Sequence, residues 1–259
     1  MNIVVCVKHV PDAQGERGFS EDNTTDRENV DGLLSELDEY AVEEALKIVE
    51  SEGGEVTALT VGPADAAEAV KKALQMGADK GIHISDDAIA GSDALATSLV
   101  IAEAVKKVGQ PDIVMFGLAS TDGGMSVIPA MVAERLGLPQ LTQVSTLEVS
   151  GAQATGRRDS DVASETVVAS LPAVVSVTDQ INEPRYPSFK GIMAAKKKPV
   201  EEMSLADLDV DAGQVGLDAA ATKVLDTTKR PPREQGQIVT DEGEGGTKLV
   251  EFLSGAKLI

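Results

Sequence analysis

Aromatic residues are scarce in this chain: they make up 2% of its 259 residues, four Phe and two Tyr with no Trp. Its core must therefore be aliphatic, built from Val, Ala, Leu and Ile, which suits a parallel sheet buried beneath helices. The hydrophobic share of 42% is ample for one large domain, or one domain with an arm. A single cysteine, Cys6, excludes an internal disulfide, and the two histidines, His9 and His83, stand in no metal-ligand spacing. No apolar run approaches the length that spans a bilayer. Residues 1–5 enter a strand-like run without the basic region and cleavage site of a secretory signal, so the expected location is the cytoplasm. Bases are few as well: 23 against 43 acids leave a net charge of −20, a field that opposes nucleic acid and anionic membrane. Acidity of this density fits a halophilic source, where ions screen the self-repulsion; the alternative is a basic partner.

What is present is an alternation of apolar runs with helical periodicity. Residues 2–8 (NIVVCVK) predict a buried strand, followed by a polar excursion over 11–31. A helix capped by Ser35 or Asp38 runs to about residue 51, with Val42, Ala45, Leu46 and Val49 on one face. Strands over 55–61, 80–85 and 112–117 alternate with helices over 64–76, from a Ser92 cap to 108, and one ending near Leu136. Gly77 stands where a helix C-cap is wanted. This order predicts an α/β fold with a parallel sheet and helices on both faces. After Pro139 the texture changes: runs at 140–147, 153–158, 165–170 and 173–178 predict strands without intervening helices, extending or flanking the sheet in antiparallel fashion. Beyond Asp209 the chain is polar and punctuated by Gly and Pro, with one terminal helix over 247–253. Such a tail buries too little to fold alone, so it dangles or wraps a partner.

In an open parallel sheet a ligand sits beyond the carboxyl ends of the strands, at the switch in strand order. Residues 117–124 (GLASTDGG) are small and precede a helix, so their backbone N–H groups can approach a phosphate. Ser120, Thr121 and Ser126 add hydroxyls, and Asp122 suits a role in fixing the loop through backbone N–H groups, because a carboxylate facing phosphate would repel it. The same composition also serves as an ordinary strand-to-helix turn. It matches neither GxxxxGK[ST] nor GxGxxG, and without that lysine it predicts binding rather than phosphoryl transfer. Cys6, between valines, reads as a packed thiol or a reactive one. The acids Glu39, Glu43 and Glu44 read as a solvated helix face, and no catalytic set emerges. Residues 182–193 (NEPRYPSFKGIM) differ: two prolines bracket a turn carrying Tyr186 and Phe189. Either aromatics anchor an interface there, or Phe189 tucks under its own loop.

These residues carry a family resemblance. The stretch 171–198, LPAVVSVTDQINEPRYPSFKGIMAAKKK, closely resembles the signature region of electron transfer flavoprotein beta subunits. So do DEYAVEEALKI from Asp38, LQMGADKGIHI from Leu74, AERLGLPQLT from Ala133 and VVCVKHVPD near the start. The resemblance implies a Rossmann-like α/β domain of the adenine-nucleotide-binding kind over residues 1–208. Residues 209–259 would form an arm clasping the larger alpha subunit. It also implies a redox FAD held mainly by the alpha subunit, with AMP, or a second FAD in electron-bifurcating members, in the beta subunit. Carried over by position, the nucleotide pocket would use Cys6, Ser35, Val61, Gly117, Ser120, Thr121, Asp122, Gly123, Gly124, Ser126, Val127 and Ile128. Arg158 and Asp159 would approach the alpha-bound flavin. Pro184, Arg185, Tyr186, Phe189, Ile192, Met193 and the lysines Lys196, Lys197 and Lys198 would meet partner flavin dehydrogenases, with a quinone oxidoreductase as the later acceptor. Ser35-Glu36 replace the family's Asn-Pro, and Gly124, Val127-Ile128 and Pro129 replace an acid, a Gln pair and Gly, leaving backbone donors to hold the nucleotide. The implied function is an electron carrier without catalytic residues of its own. The alternatives are a bifurcating subunit and a stand-alone nucleotide sensor of the same fold.

Overall fold

The structure, a computed structural model, describes residues 1–233 and 235–259. Glu234, within the polar tail, lies outside the described residues. Two compact units emerge, Met1–Leu225 and Asp226–Ile259.

In the first unit the apolar runs become strands β1 (Asn2–Cys6), β4 (Glu55–Val61), β5 (Lys80–Ile84) and β6 (Ile113–Phe116). Between them run helices α1 (Glu36–Glu52), α2 (Ala67–Met76) and α3 (Ala94–Val108). The polar excursion after β1 is closed at its root by a short hairpin of β2 (His9–Pro11) and β3 (Gly32–Leu34). Its strands of three residues are too short to carry a readable period. Helix α4 (Ile128–Leu136) leads to β7 (Gln140–Val144), β8 (Thr146–Ser150), β9 (Gln153–Asp159), β10 (Ser164–Ser170) and β11 (Ala173–Val177). Helix α5 (Phe189–Ala195), β12 (Val200–Met203) and the single turn α6 (Gly216–Ala219) complete the unit.

The main sheet has the order β12-β5-β4-β1-β6-β11-β7, and each of its pairings is parallel. Alternation along β1 divides the core: Ile3 and Val5 face α1 and α2, while Val4 and Cys6 face α3 and α4. Side chains such as Val5 and Val42 are fully buried, and each buried valine contributes about 1.5–3 kcal/mol. The Rossmann-like α/β architecture is as the alternation predicts. The antiparallel expectation after Pro139 holds only in part. β8, β9 and β10 form a separate antiparallel sheet, whereas β7 and β11 join the main sheet in parallel. The reason is burial: β11 is buried at every residue, the mark of an interior parallel strand. A parallel pair needs a long crossover, and between β7 and β11 the small sheet provides it. Helix α3 starts from Asp93 rather than Ser92, since the Asp93 carboxylate accepts the Ala96 N–H at 3.0 Å. The first unit runs past residue 208, with Leu208, Val210 and Val215 buried in the α3 and α4 side of the core.

The second unit contains α7 (Gly245–Gly255), begun by Asp241, whose Oδ1 accepts the N–H groups of Gly243 and Gly245 at 2.8 Å. Among the described residues no helix is long and apolar enough to cross a membrane.

Candidate functional site

The chain builds outward from β1 to β4 and β5, then returns to place β6 on the other side of β1. The switch point therefore lies between the carboxyl ends of β1 and β6, where Cys6-Val7-Lys8 meets Phe116-Gly117. The start of α1 closes in beside it: Ser35 N–H donates to the Lys8 carbonyl at 2.8 Å, and Asp38 Oδ2 accepts the Lys8 N–H at 2.9 Å. Gly117 packs on this helix start. A Cβ there would stand 2.5 Å from the Leu37 carbonyl oxygen and 2.6 Å from Asp38 Oδ1, so glycine is required by the approach of α1. Burial pushes the Asp38 carboxyl up to about 7, against the N–H groups of Lys8 and Gly117 that favour its charge.

Ser35 occupies the N-cap position of α1, yet its hydroxyl makes no cap bond and is buried without a partner. A buried orphan hydroxyl is costly, and a nucleotide in the crevice would satisfy it. Val61 ends β4, half-buried, before the Gly62-Pro63 turn. The two carbonyls of that turn are engaged by His83 Nε2 at 3.0 and 3.1 Å, leaving Nδ1 buried and unpartnered. Cys6 is buried in the α3 and α4 side of the core, and burial, with the nearby Asp38 charge, pushes its thiol far up. It is a packed thiol, able to line the crevice floor but not to react as thiolate.

The loop after Gly117 is more constrained than its composition suggests. Asp122 does accept a backbone hydrogen bond, from Gly123 N–H at 2.7 Å, and it also pairs with Lys8 Nζ at 2.9 Å and Arg27 NH2 at 2.6 Å. Burial opposes its charge, but Lys8, Arg27 and Ser120 outweigh burial and hold the carboxyl well below the usual range. Ser120 Oγ accepts from Lys8 and Gly123, and the Gly124 N–H donates to the Ser120 carbonyl at 2.9 Å. Gly123 and Gly124 thus use their donors within the loop. The donors open to a phosphate are those at the start of α4, where Val127 stands at the N-cap position, Ile128 follows and Pro129 has no N–H. Ser126, at φ +57°, takes a left-handed conformation just before it. The donor set is therefore largely main-chain, and with the Ser35 hydroxyl it fits a nucleoside monophosphate.

Sequence reasoning did not single out Arg17 or Arg27. Asp38 reads as an ordinary cap, and the arginines lie in a polar excursion whose path only coordinates reveal. Two hollows of about 590 and 560 Å³ lie elsewhere: one beside β12 and the end of α3, one between Ala88-Ala90 and residues 212–219. Neither contains a residue of the crevice.

Arg158 and Asp159 close β9 on the small sheet, apart from the crevice. Arg158 pairs with Glu165 at 2.8 Å, and Asp159 accepts from Ser145 Oγ at 2.6 Å and from Arg157 at 2.9 Å. On this polar ledge Arg158 is half-buried and Asp159 exposed.

The 182–193 turn is anchored on α1. Arg185 forks onto Glu43 at 2.7 and 3.0 Å and onto Glu50 at 2.6 and 3.1 Å, and Asn182 donates to Glu44 and the Tyr40 carbonyl at 3.0 Å. Glu43 and Glu44 are therefore buried, not a solvated face as their spacing suggests, because the turn covers them. With Arg185 turned inward onto α1 and Pro184 half-buried, Tyr186 is 94% exposed and Phe189 80% exposed, beside exposed Ile192 and Met193. Ser188 caps α5, and a Cβ on Gly191 would stand 2.5 Å from the Gln75 carbonyl, so α5 lies tight on α2. Lys196 and Lys197 are exposed, whereas Lys198 turns inward: its Nζ donates to the carbonyls of Leu74, Gly77 and Ala78 at 3.1, 3.0 and 2.6 Å. It closes the C-terminus of α2 and has no ammonium left for a partner.

A seven-stranded parallel sheet with helices on both faces, its strand order switching between β1 and β6, defines the chain as a Rossmann-like α/β protein. Residues 22–208 match the model of the electron transfer flavoprotein domain. Over its full length the chain is 49% identical to the electron transfer flavoprotein subunit beta of Mycobacterium leprae (strain TN), covering 99% of that protein. It is 48% identical to that of Mycobacterium tuberculosis (strain ATCC 25618 / H37Rv), at the same coverage. The Bacillus subtilis (strain 168) subunit is 35% identical over the whole of both chains. The chain belongs to the electron transfer flavoprotein beta subunit family. The halophilic source is not borne out: acidity alone does not distinguish a salt-adapted surface from an ordinary acidic one.

Proposed function

We propose that this chain is the docking and nucleotide-holding half of a cytoplasmic, heterodimeric electron carrier, serving flavin dehydrogenases such as acyl-CoA dehydrogenases of fatty acid oxidation and passing electrons towards a membrane quinone oxidoreductase. The observation that carries this reading is the posture of the 182–193 turn. Two buried acids of α1 hold Arg185 and Asn182, and the aromatic side chains beyond them face solvent. A fold with so few aromatics gains nothing in stability from exposing two of them, whereas exposed aromatics on a fixed turn suit a partner's pocket. Loop-sized contact also suits a carrier that must release one partner to meet the next.

A structural AMP fits the crevice through Ser35 and the N–H groups at the start of α4, with Cys6 and Val61 lining it. A bound FAD, shared with the alpha subunit near Arg158 and Asp159, supplies the electron acceptance and donation. The chain's own residues bind, orient and dock. A second FAD in the crevice would instead mark a bifurcating subunit; the main-chain donor set and the close approach of α1 at Gly117 favour the smaller ligand.

One preparation tests this. The chain co-purified with its alpha subunit should release about one FAD and one AMP per heterodimer on denaturation, and Phe189→Ala should slow electron uptake from a reduced dehydrogenase about tenfold or more with the flavin count unchanged. Two FAD per heterodimer would support bifurcation, and uptake unchanged in Phe189→Ala would remove the docking role.

A further inference from the structure

Residues 12–31 leave the β2–β3 root as a long polar strap. Its two ends are joined by the Asp12 N–H to Asp31 carbonyl bond at 2.9 Å, and a bridge between Phe19 and Thr25 folds its tip. From this strap two arginines reach the loop after β6, about a hundred residues away in sequence. Arg17 NH1 donates to the Thr121 carbonyl at 2.8 Å, while its NH2 and Nε reach the Pro11 and Asp12 carbonyls at 3.3 and 3.4 Å. Arg27 NH2 pairs with Asp122 at 2.6 Å and NH1 reaches the His9 carbonyl at 3.3 Å. Each guanidinium thus ties the root of the strap to the loop, and Lys8 completes the pairing of an Asp122 side chain that is 3% exposed.

On a chain whose net charge is −20, Lys8 and Arg27 thus pair with one buried carboxylate, and Arg17 holds the carbonyl of the residue before it. A phosphate monoester in the crevice would sit at the neighbouring start of α4. The loop between holds Gly124 and Ser126 at φ +61° and +57°. A non-glycine residue adopts that conformation only when its surroundings hold it there. The strap fixes the loop just before Gly124 and Ser126, at Thr121 and Asp122.

We propose that Arg17 and Arg27 fasten residues 12–31 and the loop 118–124 into one clasp that sets how long a nucleoside monophosphate stays in the crevice. The inference rests on the reading of the crevice as a nucleotide site. Both arginines act as positioning residues, through Thr121 and Asp122, rather than by touching the ligand.

The test uses the full chain in complex with its alpha subunit, AMP as the probe, and the Arg17→Gln, Arg27→Gln and doubly substituted forms. Losing charge-assisted hydrogen bonds at the clasp should speed AMP release about tenfold or more in the double variant. Amide hydrogen exchange should rise together in 12–31 and 118–124. Arg27→Lys, which keeps the cation opposite Asp122, should restore much of the retention, as a merely space-filling role would not. Faster exchange confined to the strap, with release and 118–124 unchanged, overturns the clasp and leaves the nucleotide reading intact. A wild-type complex that neither carries nor binds AMP strikes down the nucleotide reading; the retention role falls with it, and exchange in 118–124 alone then decides whether strap and loop are one unit.

Discussion

Asp38 and Asp122 stand beside the same crevice and titrate in opposite directions, for reasons visible in their partners. Asp38 is enclosed by the sheet and α1, and burial outweighs its two N–H donors and the Lys8 ammonium, raising its carboxyl from 3.8 to about 7. For Asp122 burial is again the largest influence, but Lys8, Arg27 and Ser120 together overcome it and hold the carboxyl low. The linkage signs differ accordingly. Asp122 contributes stability at neutral pH that is lost only in strong acid. Asp38 binds its proton more tightly in the fold than in the unfolded chain. Its stabilising contribution is complete below about pH 4, declines as pH rises towards 7 and is flat above that. Asp38→Asn, which cannot titrate, should therefore be most destabilised relative to wild type near pH 4. The gap should narrow by up to about 4 kcal/mol as pH reaches 7. Urea unfolding of both forms between pH 4 and 8 measures it; a gap independent of pH would mean that Asp38 does not titrate in this window.

At the scale of elements, one lysine shows how a helix end is fastened. Lys198 reaches the last carbonyls of α2 from the segment after α5, so its ammonium meets both hydrogen-bond acceptors and the negative end of the helix. Burial lowers its pKa, with Asp79 opposing, a direction that reflects partial desolvation. Lys198→Met keeps the length and removes the charge. It should cost about 1–2 kcal/mol of stability and loosen α5, read as faster exchange over 189–195, whereas Lys196→Met and Lys197→Met should leave stability nearly unchanged. Much of the architecture was legible beforehand because the strands β1, β4, β5 and β6 are long apolar runs separated by amphipathic helices. The lost parts have physical causes. β12 carries Glu201 and Glu202 on an exposed edge and hides its role in Met203 alone. β7 and β8 are contiguous in sequence, and only the bond from Ser145 N–H to the Arg157 carbonyl marks where the chain changes sheets. At the site, the loop 117–128 and Ser35 were legible from composition and resemblance. Arg17 and Arg27 were not, because nothing local in a polar excursion records which distant loop it covers.

Across the whole molecule, the division after Leu225 separates two regimes of stability. The first unit buries two aliphatic layers either side of its sheet. Among its described residues the second has one helix, of 11 residues and with none buried, and it exposes Leu249, Val250, Phe252, Leu258 and Ile259. A helix of that length is marginal in water unless its apolar face is covered. On the proposed heterodimeric reading, the alpha subunit would supply that cover. A chain ending at Leu225 should therefore keep its cooperative unfolding, with a midpoint within about 2 °C of the full chain, because the core layers lie inside Met1–Leu225. Its association with the alpha subunit should weaken by at least about a hundredfold, read by sedimentation or by titration of the separated subunits. The substitutions Leu249→Ser and Phe252→Ser should reproduce part of that loss without shortening the chain. Undiminished association of the shortened chain would assign the arm no part in holding the heterodimer together, and the apolar face of α7 would then need another partner.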